Sequence, residues 1–243
     1  MIEAEHLHRQ FGEVVAVGDV TFSAGDGAVT GLLGPNGAGK TTTLRMIYTL
    51  VKPDRGQVRV DGLDAAVDPA AVRKRLGVLP DSRGLYPRLT AREHLRYFGE
   101  LQGMSGDILE QRIDALVELL EMRTIADRRT AGFSQGERVK VALGRALVHD
   151  PPNVILDEPT NGLDVLSTRA TRELVRRLRD AGHCVIFSSH VMQEVAALCD
   201  RIVIVAGGRV RAQGTPDEIR AQAGDADLEE AFVKLVAGAE ARP

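Results

Sequence analysis

The chain carries the glycine-rich stretch Gly34-Pro35-Asn36-Gly37-Ala38-Gly39-Lys40-Thr41 near its N-terminal end. A short apolar segment, Ala28–Leu33, precedes this stretch and predicts a strand, and helical periodicity follows from Thr41 to about Leu50. Glycines in such a loop let successive backbone N–H groups point inward, and the next helix directs the positive end of its dipole to the same place. The stretch therefore predicts an anion-binding loop between a strand and a helix.

The spacing of this loop matches G-x-x-x-x-G-K-[ST], the phosphate loop of nucleoside triphosphatases. Chance gives about 0.004 matches to this pattern in a chain with 25 glycines among 243 residues. In that motif Lys40 reaches the β- and γ-phosphates and the Thr41 hydroxyl binds Mg²⁺, while Thr42 is placed to bond the α-phosphate. The predicted phosphate-binding residues are Gly34, Pro35, Asn36, Gly37, Ala38, Gly39, Lys40, Thr41 and Thr42.

A second group of polar residues is expected at the same edge of the sheet. The apolar segment Val154–Leu156 predicts a strand that ends in Asp157 and Glu158. His190 comes shortly after another apolar segment, Cys184–Ser188. Because the carboxyl ends of parallel strands line the ligand crevice, we expect Asp157 to face Mg²⁺ directly or through water, Glu158 to polarise the attacking water, and His190 to sense the γ-phosphate. The alternatives are a strand that ends in an ordinary polar loop and a structural or solvated histidine.

Short strands alternate with helices on both sides of a block of helices that runs from Thr90 to His149. The alternation predicts an α/β fold of the phosphate-loop NTPase class, with a mostly parallel central sheet, N-terminal antiparallel strands and an inserted α-helical subdomain. We expect one ATP-binding domain at 1–220, with its core at 1–81 and 150–220 and its helical subdomain at about 82–149. A C-terminal helical tail at 221–243 either packs on the domain or makes a regulatory or dimer contact.

Composition and charge exclude several classes of protein. Lys and Arg number 31 against 34 Asp and Glu, a net charge of −3, whereas nucleic-acid-binding domains are strongly basic. The longest unbroken apolar runs, Val195–Cys199 and Ile202–Ala206, are far shorter than a membrane span, and no signal-peptide pattern opens the chain. The cysteines, Cys184 and Cys199, lack metal-ligand spacing, which favours buried, reduced thiols. We therefore expect a soluble intracellular protein that binds no nucleic acid.

A third motif distinguishes between families of phosphate-loop proteins. The segment Phe133-Ser134-Gln135-Gly136-Glu137 contains the helix-capping pattern S-x-x-E, which by itself implies no function. The same segment resembles the signature Leu-Ser-Gly-Gly-Gln of ATP-binding-cassette (ABC) proteins and lies upstream of the predicted acidic strand, as it does in that family. The stretch Asp157-Glu158-Pro159-Thr160-Asn161-Gly162-Leu163-Asp164 and the single His190 also resemble family motifs. With five motifs in the family order, the chain resembles an ABC ATPase along most of its length.

The resemblance implies a homodimer in which two copies lie head to tail, with each ATP between the phosphate loop of one copy and the signature of the other. Carried over to this chain, Ser134 and Gly136, with Gln135 between them, contact the γ-phosphate bound by the partner, and a helix N-terminus directed at an anion favours that contact. Asn161–Asp164 resembles the loop that links the two sites. Phe11 resembles the aromatic residue that stacks on adenine, the alternative being an ordinary core residue of a hairpin. The implied cofactors are ATP and Mg²⁺.

Two parts of the sequence depart from the family pattern. Gln135 stands where the signature has its first glycine, and Glu137 stands where the signature ends in glutamine. After the predicted strand Leu76–Leu79 the family places a glutamine, whereas this chain has Asp81. Because Asp81 carries a charge that glutamine lacks, we expect it on the metal side of the site, where it binds Mg²⁺ or holds water.

The segments Asp81–Thr90 and Phe133–Glu137 resemble the sodium-extrusion (NatA-type) branch, whose members serve separate membrane subunits of the ABC-2 exporter class. The resemblance therefore implies the ATPase subunit of an exporter, peripheral on the cytoplasmic face of the cell membrane. Its integral membrane permease is expected to dock on the helical block and the loop Asp81–His94. Two alternatives are a soluble cassette ATPase that acts on DNA or ribosomes and a small-molecule kinase with a phosphate loop.

Overall fold

The computed structural model describes residues 1–82 and 84–240, so Arg83 of the predicted docking loop and the last three residues of the predicted tail lie outside the described residues. The strands are β1 (Ile2–Phe11), β2 (Val14–Ala24), β3 (Ala28–Leu33), β4 (Arg55–Val60), β5 (Leu63–Asp64), β6 (Leu76–Leu79), β7 (Asn153–Asp157), β8 (Cys184–Ser189), β9 (Arg201–Ala206) and β10 (Arg209–Gly214). The helices are α1 (Lys40–Ile47), α2 (Pro69–Lys74), α3 (Ala91–Leu101), α4 (Gly106–Leu119), α5 (Gln135–Leu147), α6 (Val165–Asp180), α7 (Met192–Leu198), α8 (Pro216–Ala223) and α9 (Leu228–Glu240).

The described strands form one sheet in the order β5-β4-β1-β2-β10-β9-β3-β8-β7-β6. In one half β9, β3, β8, β7 and β6 are parallel, and in the other β5, β4, β1 and β2 are antiparallel. The halves are joined where β10 pairs with β2, Arg209 opposite Asp19. This arrangement confirms the predicted fold class, a mostly parallel central sheet with antiparallel N-terminal strands.

The strands of the parallel half are buried on both faces, which explains their nearly continuous apolar sequences. Every residue of β7 and of β8 is buried. Ile155 and Ile186 face a core that includes α1 and α2, whereas Leu156 and Phe187 face a second core that includes α6, α7 and the inserted helices. The parallel half of the sheet is therefore covered on both faces, and only its strand ends are open to a ligand.

The sheet register brings three strand ends to one edge. Leu33 at the end of β3 lies opposite Ser189 of β8, and Asp157 at the end of β7 lies opposite Ser188 of β8. The phosphate loop follows β3, Glu158 follows β7, and His190 follows β8. The fold thus places all three predicted parts of the site at the carboxyl edge of adjacent parallel strands.

Helices α3, α4 and α5 are inserted between β6 and β7, as the fold class predicts. Capping boxes begin two of them, Thr90 with Glu93 at α3 and Ser134 with Glu137 at α5. Each box satisfies N–H groups that a helix end otherwise leaves without partners. The apolar faces of the three helices join the core that also contains α6 and α7, and α5 packs against β6.

The sequence pattern does not predict β10 and α8. β10 reads RVRAQG, whose alternating charged residues obscure a strand that pairs antiparallel with β9. α8 carries a capping box, Thr215 with Glu218, that could have identified it, and it crosses the predicted boundary at residue 220. The predicted helix from Thr41 to about Leu50 begins at Lys40 and ends at Ile47, before Thr49 adopts a left-handed backbone.

The two cysteines are unpaired and buried, in agreement with the prediction from their spacing. Burial raises the pKa of the Cys184 thiol to about 12, which keeps this thiol protonated. Within residues 1–82 and 84–240, every helix is too short or too polar to span a lipid bilayer.

Candidate active site

A cavity of about 490 Å³ opens at the edge of the sheet where β3, β7 and β8 end. The phosphate loop lines it from Pro35 to Thr42, and the start of β2 adds Val14, Val15 and Ala16. Four further residues complete the lining, namely Asp81, Glu158, Asn161 and His190. The structure therefore brings the predicted catalytic residues and all but Gly34 of the predicted phosphate-loop residues together around one space.

Backbone packing requires glycine at two positions of the loop. Gly39 is the N-cap of α1 with a φ of 100°, and a Cβ there would lie 2.5 Å from the carbonyl oxygen of Ala16. At Gly34 a Cβ would lie 2.1 Å from the carbonyl oxygen of Val205 in β9. Gly34 thus packs against β9 behind the cavity, whereas the other predicted phosphate-binding residues line it.

The ammonium group of Lys40 is buried among oxygen atoms, and the residue is only 6% exposed. Its Nζ donates to the carbonyl oxygens of Gly34 at 2.7 Å and Pro35 at 3.3 Å, and it lies 3.5 Å from Oε1 of Glu158. A buried charge is tolerated only with partners of this kind. The site therefore contains the preformed positive charge that the phosphate-loop motif requires.

Asp157 ends β7 and is fully buried. Its Oδ1 accepts hydrogen bonds from the hydroxyls of Ser188 at 2.6 Å and Thr41 at 3.4 Å, while no described residue offers a hydrogen bond to its buried Oδ2. Burial raises the pKa of Asp157 above its usual range, against the smaller lowering effect of the two hydroxyls. A buried carboxylate oxygen without a donor, beside a threonine hydroxyl, fits a hard cation such as Mg²⁺.

Glu158 follows Asp157 with a left-handed backbone, φ 48°, which is uncommon for a glutamate. Its backbone N–H donates to the Ser188 hydroxyl at 2.9 Å. Its Oε2 lies 2.9 Å from Nδ1 of His190, and its Oε1 faces Lys40. A left-handed backbone at a residue other than glycine costs about 1–3 kcal/mol and persists where surrounding contacts determine the conformation. The contacts hold the carboxylate between the cation of the phosphate loop and an imidazole.

Two other predicted residues lie toward the outside of the site. Asp81 is exposed and lines the cavity. Phe11 at the end of β1 is 46% exposed, with the guanidinium of Arg9 4.7 Å from its ring centre, so it is not a core residue of the hairpin. Val14 and Val15, just after the same turn, line the cavity, and Phe11 does not.

The signature segment lies apart from this cavity. Ser134, Gln135 and Gly136 stand at the start of α5, and among the described residues the cavity lining includes none of them. The Ser134 hydroxyl accepts from the N–H of Glu137 at 3.2 Å, and the Glu137 carboxylate accepts from the N–H of Ser134 at 2.8 Å. Because either Glu or Gln can close such a box, the departure at Glu137 preserves the helix start.

The sequence pattern does not predict the roles of Ser188 or of the pair Val14 and Val15. Ser188 donates to the Asp157 carboxylate and accepts from the Glu158 backbone, so it helps to hold both residues in place. Its position opposite Asp157 in the sheet register is the signal that could have identified it. Val14 and Val15 are 67% and 50% exposed, which is unusual for valines in a strand and marks them as a candidate surface for an apolar ligand group.

Residues 17–161 match the family model described as ABC transporter. Among curated relatives, the ABC transporter ATP-binding protein NatA of Bacillus subtilis (strain 168) is 44% identical over 93% of this chain and 92% of its own length. The linearmycin resistance ATP-binding protein LnrL of the same organism is 37% identical over 92% of this chain and 72% of its own length. A Nod factor export ATP-binding protein I of Bradyrhizobium diazoefficiens is 37% identical over 90% of this chain and 71% of its own length.

Two solved structures share the fold and most of the length. The ATP-binding subunit of an ABC transporter has a TM-score of 0.89 and 34% identity, covering 97% of this chain and 99% of its own. An ATP-binding cassette in a dimeric post-hydrolysis state, bound to ADP and Pi, has a TM-score of 0.81 and 25% identity. The match covers 88% of this chain and 98% of the cassette. These likenesses agree with the motif order and with the assembled cavity. The chain belongs to the ABC transporter family and is an ATP-binding subunit that hydrolyses ATP.

Proposed function

We propose that this chain powers an exporter: it dimerises on ATP and drives a separate permease from the cytoplasmic face of the membrane. The observation that carries the proposal is the separation of the signature segment at α5 from the phosphate-loop cavity of the same chain. A second copy, placed head to tail, supplies the missing signature. In support, one similar structure is a dimer, and two of the relatives are named for linearmycin resistance and Nod factor export.

The geometry of Ser134 suits a contact with the phosphate bound by a partner. Its hydroxyl oxygen accepts the N–H of Glu137, which leaves the hydroxyl hydrogen to donate to a phosphate oxygen. The N-terminal end of α5 adds its dipole, with Gln135 and Gly136 in the first turn. Asn161 lines the cavity, and Asp164 caps α6, so the loop between them runs from this site toward the dimer partner in the proposed assembly.

Thr41 and Asp157 are the proposed protein ligands of Mg²⁺. The described residues contain no group of three or more His, Cys, Asp or Glu that could hold a metal by itself, so a cation here depends on the phosphate oxygens as well. Bound Mg²⁺ neutralises charge that develops on the phosphates. Asp81 is proposed to act on the metal side of the cavity, directly or through water. Glu158 accepts the proton of the attacking water. His190 senses the γ-phosphate and, through its Nδ1 contact, orients the Glu158 carboxylate.

Replacing Asp157 with asparagine is expected to raise the Mg²⁺ concentration for half-maximal hydrolysis by at least about tenfold, because the cation loses a charged ligand. ATP binding without Mg²⁺ is expected to stay within about twofold of the unchanged protein, since Lys40 and the loop amides remain. Titration of phosphate release against Mg²⁺ measures the effect. Asp150→Asn, at an exposed carboxylate paired with Arg112, is the matched control. An unchanged Mg²⁺ requirement in Asp157→Asn contradicts the proposed ligand.

The proposed permease contact is an apolar patch beside the loop Asp81–His94. A groove of about 490 Å³ lies where the inserted helices meet the core and is lined in part by Leu50, Phe98 and Arg145. Tyr97 touches Phe98 and Tyr86 edge-on, so the aromatic surface continues from the groove into the loop. Tyr86 and Tyr97 are 53% and 41% exposed. Exposed aromatic side chains next to a groove are typical of protein interfaces.

Replacing Tyr86 with aspartate is expected to reduce co-purification with the permease at least about tenfold, because a charge is then buried at the contact. The permease would be a membrane protein encoded by a neighbouring gene, isolated with this chain from detergent-solubilised membranes. Val67→Asp, at an 81% exposed valine outside the groove, is the control. If Tyr86→Asp co-purifies with the permease as fully as the unchanged protein does, the proposed docking site is wrong. An ATPase rate that rises on addition of DNA or ribosomes favours the soluble alternative.

A further inference from the structure

A buried glutamate lies next to the site, on the helix that follows His190. Glu194 of α7 is 7% exposed. Its Oε2 accepts hydrogen bonds from the hydroxyls of Thr160 at 2.6 Å and Ser189 at 3.0 Å, and its Oε1 lies 3.4 Å from a guanidinium nitrogen of Arg172. One carboxylate therefore joins three elements of the fold, none of which contains the phosphate loop.

The two hydroxyl partners lie beside the proposed catalytic groups, one in the loop after β7 and the other at the end of β8. Thr160 is two residues beyond Glu158, and Ser189 immediately precedes His190. Thr160 and Ser189 are 8% and 1% exposed, so their hydroxyls depend on partners within the protein. Ser189 Oγ also accepts the backbone N–H of Val191 at 3.0 Å, which fixes the turn that contains His190. The carboxylate thus connects the end of β7 with the end of β8.

The two proposed catalytic groups lie outside regular secondary structure, each directly after a strand. Glu158 has a left-handed backbone, and His190 precedes a seven-residue helix whose N-cap, Val191, makes no side-chain capping bond. The 2.9 Å contact between Oε2 of Glu158 and Nδ1 of His190 depends on how the loops lie relative to each other. A displacement of about 1 Å in a reacting group costs much of its catalytic effect.

We propose that Glu194 is a positioning residue for ATP hydrolysis: through Thr160 and Ser189 it holds the two loops so that Glu158 and His190 remain in contact. The inference rests on the roles proposed above for Glu158 and His190. Loss of Glu194 is therefore expected to affect turnover and to leave ATP binding unchanged. In the described part of the chain, the hydrogen bonds and ion pairs of Glu194 do not include the phosphate loop.

The test compares Glu194→Ala with the double variant Thr160→Val/Ser189→Ala, which removes both hydroxyls and keeps the carboxylate. Each is expected to lower the kcat for ATP at least about tenfold while the Kd for ATP stays within about twofold. Glu194→Gln retains an oxygen that can accept from both hydroxyls and is expected to keep at least about half of the kcat. Gln193→Ala, at an exposed neighbour bonded to Glu229, is the matched control and is expected to behave as the unchanged protein.

Unfolding temperature and ATP binding identify variants that fail to fold, and the double variant decides the outcome if Glu194→Ala is one of them. A kcat within about twofold of the unchanged protein in the double variant overturns the proposal, as does an equal loss of kcat in Glu194→Gln and Glu194→Ala. Glu158→Gln is assayed alongside. If Glu158→Gln is inactive while the Glu194 and double variants are active, the positioning role fails and the proposed role of Glu158 stands; an active Glu158→Gln overturns that role itself.

Discussion

Replacing Glu158 with glutamine is expected to slow ATP hydrolysis by at least about 100-fold, because an amide cannot accept the proton of the attacking water. Glutamine has the same shape and can still contact Nδ1 of His190, so the geometry of the site is kept. The hydrogen bond to Ser188 comes from the backbone and is unaffected. ATP binding is expected to stay within about twofold, since the phosphate loop is unchanged.

Phosphate release at saturating ATP and Mg²⁺ measures the rate, and sedimentation with ATP measures the oligomeric state. The variant is expected to accumulate as an ATP-bound dimer, because the dimer forms on ATP and reopens only after hydrolysis in the proposed cycle. Glu173→Gln, at an exposed carboxylate of α6, is the control. Hydrolysis within about threefold of the unchanged rate would remove Glu158 from the water-polarising role.

Replacing Lys40 with alanine is expected to weaken ATP binding at least about 100-fold, because the phosphates lose a buried cation in surroundings of low dielectric. The same change deprives the carbonyls of Gly34 and Pro35 of their donor and leaves Oε1 of Glu158 without the nearby ammonium group of Lys40. A modest loss of thermal stability is therefore expected as well.

Equilibrium titration with ATP measures the change in Kd, and Lys52→Ala, at an exposed lysine just beyond α1, is the control. The control is expected to bind ATP as the unchanged protein does. If Lys40→Ala binds ATP with a Kd within about threefold of the unchanged value, the loop amides alone hold the phosphates, and the proposed role of the lysine is wrong.

The phosphate loop and the acidic strand could be predicted because each depends on neighbouring residues. A strand, a glycine-rich turn and a helix follow one another from Ala28 to Ile47, and Asp157 and Glu158 directly follow an apolar strand. Parallel pairing then brings the loop and the carboxylates together without further information. The fold class could be predicted for the same reason, because strands alternate with helices on both sides of one helical block.

The supporting residues could not be predicted, because their roles arise from contacts between distant segments. Ser188 is 31 residues from Asp157 and contacts it only through the pairing of β7 with β8. Thr160 and Glu194 are 34 residues apart in the sequence, and only the folded chain brings the Thr160 hydroxyl to the Glu194 carboxylate. β10 is hidden for a different reason: its arginines and glutamine do not follow the apolar pattern of a buried strand, and its pairing with β9 decides its structure.

If each ATP site is built from two copies of the chain, two variants with damage in different halves of the site restore activity when they are mixed. Lys40→Ala removes the phosphate-loop cation, and Ser134→Asp sets a repelling charge at the signature while aspartate still caps α5. Each variant alone is expected to be inactive. Dimers that contain both variants have one site with neither substitution, so an equal mixture is expected to hydrolyse ATP well above the sum of the two variants, at about a quarter of the unchanged rate for random pairing. A mixture that hydrolyses ATP no faster than the two variants assayed separately shows that each site is complete within one chain.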